Sequence, residues 1–116
     1  MNDFKSLKIW QNAHRLVTQI YKLTGTFPKS EQFGLTSQLQ RAAISIVTNI
    51  VEGYGRETKK DFNHFLVISR GSLQETRSLL LIAHDLGYIS AKSSNKLDDE
   101  YLKLKISINA FIKTLK

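Results

Sequence analysis

Apolar residues return at steps of three and four from the start of the chain, and Leu7, Trp10, Ala13, Val17, Ile20 and Thr24 mark one face of a first helix over 7–24. Ser6 stands where an N-cap is expected. Gly25 and Pro28 then interrupt the period, so 26–34 reads as a loop holding at most one helical turn near Glu31. Phe27 and Phe33 are placed to plug a bundle end. The stripe Leu35, Leu39, Ala42, Ile46, Ile50 and Gly53 predicts a second helix over 35–54, closed by Gly53 and Gly55.

Thr58 followed by Asp61 resembles a capping box and opens a third helix, over 59–86, with Gly87 as its C-cap. Its stripe is Phe62, Phe65, Ser69, Ser72, Thr76, Leu79, Ala83 and Leu86, small in the middle. Gly71 lowers the helicity without ending the helix. Ser90 or Ser93 can cap a fourth helix over 91–115, with Leu97, Tyr101, Leu104, Ile108, Phe111 and Leu115 facing inward. No stretch alternates like a strand. The expectation is an all-α chain, an antiparallel up-down-up-down four-helix bundle occupying 1–116 as one domain.

The second and third helices are more apolar than one buried face requires. At about 100° per residue, Ile44, Val47 and Val51 fall off the stripe of Ile46 and Ile50, and Val67, Leu81 and Ile82 lie far round from Phe65 and Leu79. Helices apolar nearly all round are buried all round, so these six residues are candidates for a subunit interface in a homo-oligomer.

Composition narrows the setting. The chain has 116 residues, one Pro and no Cys, which suits a folded domain and excludes disulfides and thiolate metal sites. No secretory signal pattern opens it, and its longest apolar run, Leu79 to Ala83, is far short of the roughly 18 residues of a membrane span. A cytoplasmic protein with no membrane contact is expected.

A family resemblance emerges from motifs in order along nearly the whole chain. Phe4, Leu7 and Trp10, then Phe27-Pro28 with Glu31 and Gly34-Leu35, then Arg41-Ala42-Ala43 with Ser45-Ile46 form its first half. Asn49-Ile50 with Glu52-Gly53, Phe62 with Phe65-Leu66, Gly71-Ser72 with Glu75, and Leu86-Gly87-Tyr88-Ile89 complete it. Together they resemble the four-helix-bundle proteins encoded in intervening sequences of bacterial 23S ribosomal RNA genes. Val51 replaces the usual Ala of the Asn-Ile-Ala-Glu-Gly signature, and Gln40 stands where Arg is common. That family is similar to the accessory variability determinant of diversity-generating retroelements, a pentameric barrel that binds nucleic acid and its reverse transcriptase. The resemblance implies a bacterial source and a homopentamer.

Charge points independently to partners. A formal net charge of +7 favours phosphate backbones. Lys8, Asn12, Arg15, Gln19 and Lys22 form one polar face of the first helix with no acidic residue among them. Arg70, Gln74, Arg77 and His84 form a similar flank on the third, with Arg56, Lys59 and Lys60 at its N-terminal end. On the fourth helix Lys96 has Glu100, and Asp99 has Lys103, at i,i+4, so its charges read as paired. The candidate nucleic-acid-binding residues are therefore Lys8, Arg15, Lys22, Arg56, Lys59, Lys60, Arg70 and Arg77. Stacking aromatics are scarce on these faces, which does not suggest sequence-specific reading of single strands.

Other chemistry has little support. His14, His64 and His84 are far apart, and no Glu is followed by His at the third position, so neither metal nor cofactor is expected. Gly53-Tyr54-Gly55 follows a helix and reads as a helix stop, not a phosphate cradle. Arg41, Asn49, Glu52 and Glu75 are read as a polar clamp between the second and third helices. With no nucleophile or metal beside Glu52, an enzyme is not expected. Two readings remain: an oligomer binding RNA or DNA through basic helix faces, or an interaction scaffold contacting an acidic protein partner.

Overall fold

The structure is a computed structural model, and it describes residues 3–116. A 3₁₀ turn at Phe4–Ser6 leads into α1 (Lys8–Thr24), followed by a second 3₁₀ turn at Lys29–Glu31, then α2 (Leu35–Tyr54), α3 (Lys59–Asp85) and α4 (Ala91–Thr114). Each helix packs on two neighbours in a closed ring, α1 on α2, α2 on α3, α3 on α4 and α4 on α1. Contacts fix the directions: Thr24 at the end of α1 meets Gln40 in the first half of α2, Gly53 at the end of α2 lies against Phe62 at the start of α3, and Arg77 in the second half of α3 meets Asp98 in the first half of α4, so each pair is antiparallel. The bundle is all-α and measures 43 × 24 × 22 Å.

The core runs along the bundle axis through Leu16, Ile20, Leu39, Ile46, Ile50, Leu66, Leu73, Leu80, Tyr101, Leu104 and Ile108. The α2 stripe is buried at every expected position. On α3 the buried line is Leu66, Ser69, Leu73, Thr76, Leu79, Leu80 and Ala83, while Phe62 and Phe65 are half-buried and Leu86 is exposed. The expected α3 stripe therefore meets the buried line at Ser69, Thr76, Leu79 and Ala83, while Phe62, Phe65 and Ser72 turn to the seam with α2 and Leu66, Leu73 and Leu80 fill the core in their place. Small residues explain that seam. A Cβ on Gly53 would lie 2.8 Å from Phe62 Cδ1 and 2.9 Å from Phe65 Cβ, so glycine there allows α2 and α3 to close together. Gly53 is thus a contact position inside α2 and not its stop.

Side chains cap the N-termini of two of the four helices, α3 and α4. Thr58 Oγ1 accepts from Asp61 N, and Ser90 Oγ accepts from Ser93 N. Gly87, at φ +83, ends α3 in a Schellman arrangement, its N–H donating to His84 O while Tyr88 N donates to Ala83 O. Ser6 does not cap α1: its hydroxyl donates to Asp3 O, and Leu7 occupies the cap position without a side-chain bond. At the bundle end Phe27 is buried against Tyr88, but Phe33 is 92% exposed and plugs nothing. Glu31 is the clasp instead, accepting from Leu35 N with one oxygen and from the Tyr88 hydroxyl with the other.

At the opposite end, the start of α1 and the last turns of α4 lie side by side, and an apolar groove between them is lined by Leu7, Ile9, Ala110 and Phe111.

Candidate nucleic-acid interface

The 3.6-residue repeat of α1 sends Ile9, Ala13, Leu16 and Ile20 into the core and leaves Lys8, Gln11, Arg15, Thr18 and Lys22 on the outward face, all exposed. Lys8 and Lys22 have no acidic partner among the described residues. Arg15 does: its Nη1 lies 2.6 Å from Glu100 Oε2 on α4. The α1 face is therefore interrupted by an acid after all, one supplied 85 residues away in sequence. Glu100 is consequently not the partner of Lys96, although Lys103 and Asp99 do pair, at 3.2 Å. Arg15 and Glu100 share a cleft of about 310 Å³ with Asn12, Lys103, Leu104 and Ser107.

The expected α3 flank is placed differently. Arg77 Nε donates to Asp98 Oδ1 at 2.7 Å and its Nη1 to Gln74 Oε1, while Arg70 Nη1 donates to Asn109 Oδ1 at 2.8 Å. Both arginines thus span the α3–α4 seam, and neither is an open phosphate site. Arg56 pairs with Glu52 at 2.8 Å and lies 4.8 Å above the Phe65 ring. Lys59 and Lys60, in the first turn of α3, are exposed and unpaired among the described residues. Of the predicted set, Lys8, Lys22, Lys59, Lys60 and Arg70 have no acidic partner among the described residues, and of these only Arg70 is tied down, by the neutral amide of Asn109.

The polar seam between α2 and α3 is built from other residues than expected. Arg41 and Glu75 are exposed, and Glu52, its side chain 57% exposed, turns to Arg56. Only Asn49 of the four joins the seam, donating to Ser45 O and Ser45 Oγ, with Ser45 Oγ 2.8 Å from Ser72 Oγ. Buried Ser69 donates to Ile46 O at 2.8 Å. Hydroxyls close enough to bond across helices need no charge, and the serines inside the apolar runs were the signal for them.

The apolar candidates divide by face. Ile44, Val47 and Val51 lie on the outward and α1-facing sides of α2, with Ile44 exposed and the two valines half-buried. Ile82 lies on the α2 side of α3, where Ile68 and Leu86 are also exposed, and Val67 and Leu81 lie towards α4. No single patch holds all six.

Next to the basic face of α1 is an aromatic row that the sequence reading did not identify. Phe4 meets Trp10 edge-on at 5.1 Å between ring centroids, and Trp10 stacks on His14 at 4.7 Å with 21° between planes. The i,i+4 spacing of Trp10 and His14 is its only sequence signal. No group of three His, Cys, Asp or Glu side chains able to hold a metal ion occurs among the described residues, and no helix there is long and apolar enough to cross a membrane.

Comparison with curated proteins finds no match. Among solved structures, a protein of unknown function from the S23 ribosomal protein family of Bacteroides thetaiotaomicron is similar in fold, with a TM-score of 0.84 at 20% identity over 90% of this chain and 98% of that one. The profile of the 23S rRNA-intervening sequence proteins matches residues 5–110, from within the first 3₁₀ turn through α1, α2 and α3 to the last turn of α4. The chain belongs to the 23S rRNA-intervening sequence protein family.

Proposed function

We propose that this protein is a non-catalytic, cytoplasmic oligomer that binds RNA or DNA through the phosphate backbone, using the outward face of α1 and the first turn of α3. The observation that carries this reading is that Lys8 and Lys22 on α1, with Lys59 and Lys60 on α3, are exposed and have no acidic partner among the described residues, in a chain of net charge +7. Unpaired ammonium groups release counterions from a polyanion, whereas arginines already bonded to carboxylates contribute less. Repetition of the face in an assembly, for which the family suggests a homopentamer, multiplies weak contacts.

Fluorescence anisotropy with labelled RNA and DNA across a salt series tests it. Lys8→Gln with Lys22→Gln should weaken binding to every sequence alike and flatten the log-log salt slope by about 0.7–0.9 for each lysine removed. Arg15→Gln should do less, because Glu100 already offsets its charge. An equal loss from the matching double change on α4, Lys96→Gln with Lys113→Gln, would make the charge a bulk property. No binding at low salt would leave the second reading, a scaffold for an acidic protein, which the exposed Ile68, Leu81, Ile82 and Leu86 favour.

A further inference from the structure

We propose that the Phe4–Trp10–His14 ladder is a stacking platform for an unpaired base of a single-stranded nucleic acid whose phosphates lie on the α1 face. The inference rests on the phosphate-binding reading and adds to it what the strand itself must offer, a free base. The ladder is built, not incidental: Gln11 Nε2 donates to Lys5 O at 2.8 Å and ties the 3₁₀ turn to α1, which holds Phe4 against Trp10. Trp10 in turn holds one face of the His14 ring at 4.7 Å, and His14 is exposed. Past it along the helix stands the short side chain of Thr18, whose hydroxyl donates to Arg15 O.

Charge complementarity selects the occupant. Lys5 beside Phe4 and Lys22 two turns beyond His14 are exposed and without acidic partners among the described residues. A second copy presenting the same face would bring like charges together, whereas a strand brings phosphates to the lysines and a flat ring to the imidazole. Bases inside a duplex are already stacked and offer no free face, so the ligand is unpaired at that position.

Trp10 is the only tryptophan, so its emission reports on the ladder directly. The probes are an oligothymidylate and an abasic strand of equal length and charge, each titrated into the intact protein. Oligothymidylate should bind more tightly than the abasic strand and quench Trp10, which the abasic strand should not. His14→Ala should lower affinity for oligothymidylate about 5- to 100-fold, leave affinity for the abasic strand unchanged, and be rescued by His14→Phe. Helical circular dichroism checks that each variant is folded. Equal binding and equal quenching by both strands, or equal loss in His14→Ala, overturns the platform while the phosphate reading stands. Binding of neither strand overturns both. A change in Trp10 emission on dilution of the protein alone would place the ladder between copies and also overturn it.

Discussion

The Tyr101 hydroxyl is buried in the core without a hydrogen-bond partner among the described residues. A buried polar atom that gives up water and gains nothing is a cost, so Tyr101→Phe should stabilise the protein by about 1 kcal/mol, read from denaturant midpoints. The same position governs alkaline behaviour. Burial raises the Tyr101 pKa above its ordinary 10.0, the Glu100 charge adds to the rise, and Arg15 opposes it. A phenol that keeps its proton longer folded than unfolded contributes fully below the unfolded pKa and loses that contribution as pH climbs past it. Tyr88 shifts the same way, chiefly because its hydroxyl donates to Glu31. The melting temperature should therefore fall above about pH 10, and Tyr101→Phe should blunt the fall more than a change of exposed Tyr21. Gly53 is constrained from the other direction. Because an added methyl would collide with Phe62 and Phe65, Gly53→Ala should destabilise by about 1–3 kcal/mol, despite alanine's better helix propensity.

At the scale of elements, Gly87 ends α3 at φ +83 with open space around it, so only backbone strain opposes a side chain there. Gly87→Ala should cost about 1–2 kcal/mol by thermal melting, while Gly71→Ala, also in open space but in mid-helix, should gain up to about 1 kcal/mol. The helices were legible because their signals are local: apolar residues at helical spacing, Thr58 and Ser90 as caps, Gly87 as a stop. The α2 stripe was read position by position for the same reason. What was not legible depends on partners distant in sequence. Nothing near Arg15 announces Glu100, nothing near Arg77 announces Asp98, and Glu52 finds Arg56 at its own helix end before any partner on α3. The α3 stripe was rotated because Phe62, Phe65 and Ser72 line the α2 seam as regularly as Leu66, Leu73 and Leu80 line the axis. The candidate site was therefore half legible: its lysines could be placed on outward faces, whereas the pairing of its arginines required the tertiary structure.

At the scale of the molecule, the proposed self-association has two candidate faces, each carrying surface aliphatics. Val51→Glu tests the α1-side face of α2 and Ile82→Glu the α2-side face of α3; light scattering should show that one of them dissociates an assembly with helical circular dichroism retained. Monomeric wild-type protein would end the oligomer reading. The groove where Leu7 and Ile9 meet Ala110 and Phe111 bears on a different property, the order in which the helices are written. Because α4 finishes beside the place where α1 starts, and because the four helices close a ring of contacts, the architecture has no intrinsic first or last member. A gene that begins at Ser90, runs through α4 and re-enters α1 by a short flexible linker should encode the same bundle, since the break falls between buried Ile89 and exposed Ser90, outside both α3 and α4. In such a permuted chain the free ends emerge beside the Glu31–Tyr88 clasp, at the pole opposite the groove, so a fluorophore or fused domain could be hung from either pole.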